Sequence, residues 1–136
     1  MRKKVREFNL KFLFSYVDNQ DFGVEDIEKR YEDLKETMET GLTPEEYQYF
    51  YTIVSGTIEN FSKINDKVDS YLKKSRLNPT DKAILLLSFY ELGHYKQTPK
   101  NVVINEAVEL SKKYGQKESS SLINALLDQY SKSELE

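Results

Sequence analysis

Apolar residues recur at three- and four-residue steps along almost the whole chain, the spacing of one face of an α-helix. Val5, Phe8, Phe12, Leu13 and Tyr16 mark a first amphipathic helix. A weaker pattern through Ile27, Tyr31, Leu34 and Met38 predicts a surface helix over residues 24–40, with Gly41 as its stop. From Phe50 through Ile53, Val54, Ile58, Phe61, Ile64, Val68, Tyr71 and Leu72 the spacing predicts one long helix, or two joined near 60–63. Ala83 to Leu92 is apolar on nearly every side, as befits the most buried helix. Val103, Ala107, Leu110 and Tyr114 give the next helix, closed by Gly115 with Lys112 and Lys113 in its last turn. Leu122, Ile123, Leu126, Leu127 and Tyr130 give the last. No segment alternates with period two. The expected fold class is all-α, with six or seven helices.

Prolines sharpen three of the helix starts. Thr43-Pro44, Asn78-Pro79 and Thr98-Pro99 each set a capping side chain before a residue suited to the first helical turn. Glu46 stands three residues after Thr43, the spacing of a capping box. Ser119-Ser120-Ser121 reads as the capping region of the last helix.

Composition then removes several chemistries. The 136 residues include no cysteine and one histidine, His94, so thiolate sites, disulfides and multi-histidine metal clusters are excluded. His94 follows Gly93 just past the buried helix, where a capping or surface role is expected. No apolar run reaches membrane-spanning length. No glycine-rich phosphate loop appears, and acid pairs such as Glu45/Glu46 and Glu106/Glu109 sit where helix surfaces ordinarily carry acids. The net charge of −3 hides a segregation: residues 1–17 sum to +4, residues 18–46 to −8, and residues 47–136 to +1. Within a Debye length of about 8 Å, a phosphate beside the N-terminus would feel the basic cluster first. Tyr71 lies next to Lys73, Lys74 and Arg76. A ring among cations can stack on a nucleobase, although its spacing fits an ordinary half-buried tyrosine as well.

The order of short motifs narrows this further. Asp81-Lys82-Ala83-Ile84-Leu85, Tyr90-Glu91-Leu92, Pro99, the run Val103-Ile104-Asn105-Glu106-Ala107-Val108-Glu109-Leu110, Tyr114-Gly115, Ser119, Asn124 and Leu127-Asp128 follow one another. Arg6-Glu7 before Leu13-Phe14, and Tyr49-Phe50 before Val54-x-Gly56, precede them. Together they resemble the NusB family of bacterial transcription antitermination factors. The resemblance implies a single RNA-binding domain of two small helical bundles, about 1–76 and 77–136. It implies a cytoplasmic, non-catalytic factor without cofactor or metal, which binds boxA RNA of nascent ribosomal RNA transcripts. Its partners would be NusE, a small-subunit ribosomal protein, the RNA polymerase antitermination complex, and in some members a second copy of itself. The implied RNA-binding residues are Arg2, Lys3, Lys4 and Arg6 of a basic arm, Tyr71, and Glu118, whose charge would restrain affinity. The implied NusE-binding residues are Phe14, Asp81, Lys82 and Glu91. The acidic excess lies away in sequence from all of the RNA set.

Departures from the family pattern bear on RNA affinity. Ser121-Leu122 replaces the usual Lys-Phe, Ala125 a glycine, Asn9 an alanine, and Leu86 a frequent arginine. The Ser121-Leu122 departure motivates an alternative: a protein-interaction module of this fold with weakened RNA recognition. NusB-like domains also occur fused to RNA methyltransferase domains, but no cofactor-binding domain follows before Glu136.

Overall fold

The computed structural model describes residues 2–72 and 77–134. Among these, seven α-helices form and no strand does: α1 (Arg2–Asp18), α2 (Ile27–Met38), α3 (Pro44–Glu59), α4 (Phe61–Leu72), α5 (Pro79–Tyr90), α6 (Lys100–Tyr114) and α7 (Ser119–Glu134). A 3₁₀ turn, Val24–Asp26, leads into α2, and a π-helical turn, Glu91–Tyr95, extends α5. Lys73, Lys74 and Arg76 lie outside the described residues, as does the Arg2 side chain.

Two of the three proline-marked starts take the expected form. Thr43 Oγ1 accepts from Glu46 N at 3.2 Å, and Glu46 Oε1 accepts from Thr43 N at 2.8 Å. Asn78 Oδ1 accepts from Asp81 N at 2.8 Å. The third differs. Pro99 itself is the cap residue of α6, and Thr98 turns inward to donate to Glu91 Oε2 at 2.7 Å. The stop of α2 also shifts, to Glu39, which adopts a left-handed φ of 59° two residues before Gly41. The long apolar pattern after Phe50 resolves into two helices. Asn60 leaves helical geometry, and its Nδ2 donates to Gly56 O at 2.8 Å.

Helix α5 is the centre of the packing, touching α1, α3, α4, α6 and α7. Ala83, Ile84, Leu85, Leu86 and Phe89 are buried on successive faces, so from Ala83 to Phe89 the helix is packed on every side. Each such large side chain contributes about 1.5–3 kcal/mol of burial. A good cap contributes about 1 kcal/mol. Packing on α5 therefore outweighs end effects in holding the helices. Around α1 the core is aromatic: Phe8, Phe12, Tyr31 and Phe50 meet at centroid distances of 5.4–6.4 Å.

Gly56 permits one close crossing. A Cβ there would come within 2.1 Å of the Tyr90 ring, on the rigid helix α5. Gly56→Ala is expected to destabilise the fold by about 1–3 kcal/mol through overpacking, read as a lower urea midpoint at unchanged slope.

Candidate nucleic-acid interface

The basic arm opens α1, so Lys3 and Lys4 are carried on a helix rather than a free tail. Lys3 is exposed. Lys4 is half-exposed, with Nζ 3.6 Å from Glu46 Oε1. The Thr43 backbone N–H, with Lys4 nearby, holds the Glu46 carboxyl below the ordinary carboxylate range. Glu46 belongs to the acidic segment, which sequence alone placed away from the RNA set. The fold brings one of its acids against the arm.

Arg6 does not share the arm's exposure. It is 6% exposed, and its guanidinium forks onto Glu91, Nη1 to Oε1 at 2.9 Å and Nη2 to Oε2 at 3.0 Å. Burial alone would weaken its hold on its proton, but Glu91 more than offsets this and the pKa rises. Glu91, 1% exposed, also accepts from Tyr49 Oη at 2.5 Å and Thr98 Oγ1 at 2.7 Å. Arg6, expected at an RNA surface, and Glu91, expected at a partner surface, are thus each buried against the other.

Asp81, also expected at the partner surface, is buried as well. It is 3% exposed, and its Oδ2 accepts from Ser119 Oγ at 2.8 Å and Asn78 Nδ2 at 3.1 Å. It ties the start of α5 to the start of α7. That tie fixes the turn carrying Glu118, which is exposed immediately before α7. Gly115 is needed nearby, since a Cβ there would lie 2.7 Å from both Ser111 O and Ser119 Oγ.

The remaining expected residues lie at or near the surface. Lys82 donates to Asp69 Oδ1 at 2.7 Å, bridging α5 and α4. Phe14 is 40% exposed, the one large hydrophobic so exposed among the described residues. Tyr71 is half-buried: its ring meets the edges or faces of Phe89 and Tyr130 at 5.9 and 5.8 Å. Its hydroxyl pairs with Ser133 Oγ at 2.5 Å and donates to Glu134 Oε2 at 3.1 Å. His94 is exposed and stacks on Tyr90.

Sequence reasoning missed one part of this surface. Lys112 and Lys113, read only as the basic end of α6, line a cleft of about 310 Å³ with Lys3, Glu7, Glu106 and Glu109. Glu7 clamps its floor, accepting from Lys113 Nζ and Tyr114 Oη, each at 2.8 Å. Lys11 Nζ lies 5.0 Å over the Tyr114 ring. Burial raises the Glu7 pKa, but these two donors outweigh it and the net shift is downward. No spacing in the sequence joins the ends of α1 and α6. A signal existed only in the lysine pair itself.

These features define a class: an all-helical protein presenting a basic helical end beside a lysine-bearing cleft. The comparisons agree and go further. The NusB family model matches residues 3–132. The transcription antitermination protein NusB of Thermodesulfovibrio yellowstonii is 35% identical over 98% of this chain and 93% of its own length. That of Desulfosudis oleivorans is 33% identical over 96% of this chain and 85% of its own. The solved structure of T. maritima NusB superposes with a TM-score of 0.83 at 32% identity, covering 98% of this chain and 92% of that one. The chain belongs to the NusB family.

Two outcomes follow from the geometry. Arg6→Ala strands Glu91 in the interior, and a loss of about 3–5 kcal/mol is expected in urea unfolding. A stability–pH profile checks the second. Because the folded Glu7 carboxyl titrates below its unfolded value, its contribution is complete above the ordinary carboxylate range. It is lost as pH falls through the folded value, so Glu7→Gln should flatten that acid limb and leave less stability at neutral pH.

Proposed function

We propose that the chain is a transcription antitermination factor that, together with NusE, binds boxA-type single-stranded RNA of nascent ribosomal RNA transcripts. The observation that carries this reading is the match, over nearly the full length, to relatives named transcription antitermination protein NusB. The surface supports it. Lys3 and Lys4 offer phosphate neutralisation at the end of α1, with Lys112 and Lys113 across the cleft. Glu118 sets a negative charge before α7 and limits affinity for a polyanion. Tyr71 offers a ring edge at the α4–α7 seam. Phe14 and Lys82 present the apolar and charged contacts for NusE.

A second reading has its own observation. Ser121 is exposed and Leu122 half-buried, so a cation and a ring common in the family are missing at the start of α7. With the exposed Phe14, this favours a module that binds its protein partner while RNA adds little.

Titration of labelled boxA RNA, with and without NusE, separates the two. The first reading expects weak binding alone and tighter, boxA-selective binding with NusE. No partner-dependent gain over scrambled RNA defeats it. Within that experiment, Lys3→Ala and Lys4→Ala should each lower the log–log salt slope by about 0.7 per lost phosphate contact.

A further inference from the structure

Beside the Arg6–Glu91 fork lies a second, smaller feature that the RNA surface does not use. Arg6 and Asn9 are three residues apart on α1 and so share one face. They are 6% and 3% exposed. Arg6 directs Nη1 and Nη2 at Glu91, which leaves Nε. Arg6 Nε and Asn9 Oδ1 are both buried, and neither has a hydrogen-bond partner among the described residues. One is a donor and the other an acceptor. Both residues line the same cavity between α1, α3, α5 and α6, which has about 10 Å³ of room for the centre of a water molecule. Ser88 lines it too; its hydroxyl donates to Ile84 O at 2.8 Å, which leaves the oxygen's lone pairs available. Ile53 and Ala107 supply apolar wall.

We propose that this cavity is an internal water site, built by Arg6 Nε and Asn9 Oδ1. The chemistry selects the occupant. A guest must accept from the Nε–H and donate to an amide oxygen, which a water does in one molecule. A cation would meet the guanidinium charge, and an apolar group would leave both atoms unpaired. The volume is that of a single water, and buried waters ordinarily hold two to four polar partners. With it, Arg6 is gripped on both edges: by Glu91 across the fork, and by the water and Asn9 across Nε. The water thereby braces, from within α1, the side chain that reaches Glu91.

The test uses the full chain labelled with ¹⁵N. Water-selective NOE spectra should show a cross-peak at Arg6 Hε with the sign of a long-lived water, and Asn9→Leu, which fills the cavity, should abolish it. A cross-peak that survives Asn9→Leu overturns the proposal. A crystal structure of the unaltered chain at high resolution decides independently of any variant. One ordered water within about 3 Å of both Arg6 Nε and Asn9 Oδ1 is the expected result. An empty cavity, or a direct bond between the two atoms, refutes it.

Discussion

A carboxylate placed in a helical core must be met by donors, or the cost of removing it from water exceeds what the fold can spare. Glu91 meets that condition with four hydrogen bonds from three separate stretches of chain: Arg6 in α1, Tyr49 in α3 and Thr98 before α6. None of these neighbours another in sequence. Their convergence fixes where α1 crosses α5 and where α6 begins. It also accounts for one local irregularity: Thr98, beyond the π turn that begins at Glu91, leaves its expected capping position to reach the same carboxylate.

Fixing α1 in this way fixes the arm. Because Arg2–Asp18 is one helix, an anchor at Arg6 sets the direction of Lys3 and Lys4 one turn earlier. Asp81 does the same for the opposite end of the surface, since its bond to Ser119 orients the turn that carries Glu118. Two buried acids thus position two exposed charged segments. The residues that form the surface and those that hold it in place are different residues, though they alternate closely along the chain.

That alternation explains what the sequence revealed and what it concealed. The helices were legible because burial on α5 imposes a 3.6-residue period, and apolar residues such as Ile53 and Leu126 report it directly. Charge is less legible. Lys4 and Arg6 look equivalent in a basic stretch, yet one meets water and the other Glu91, 85 residues away. Asp81 and Lys82 are adjacent, yet only Lys82 reaches the surface. The cleft between α1 and α6 depends on tertiary contact alone, so Lys112 and Lys113 carried no mark linking them to the arm. Among the departures from the family pattern, Leu86 and Asn9 turn out to be buried. They belong to packing, whereas Ser121 bears on the surface.

Under the proposed RNA-binding role, the distinction between paired cations decides which of them an RNA would use. Lys4 with Glu46, Lys112 with Glu109 and Lys113 with Glu7 are each paired, at 3.6, 3.5 and 2.8 Å, but all three lysines remain open to solvent. An exposed pair such as Lys112–Glu109 is worth about 0–1 kcal/mol, and the buried Glu46 carboxylate keeps its hydrogen bond from Thr43 N when Lys4 turns away. A phosphate can therefore replace the carboxylate at small cost, and the lysine's charge stays available. Separating a buried pair costs about 3–5 kcal/mol, more than a single phosphate contact returns, so Arg6 stays with Glu91. The price of using the exposed lysines is that each freed carboxylate remains beside the bound polyanion. Glu46, Glu109 and Glu7 then oppose the RNA they have just released a lysine to. Under that proposed role, affinity from this surface alone would be limited, and a partner that supplies further contacts along the same RNA would have a physical reason to be needed.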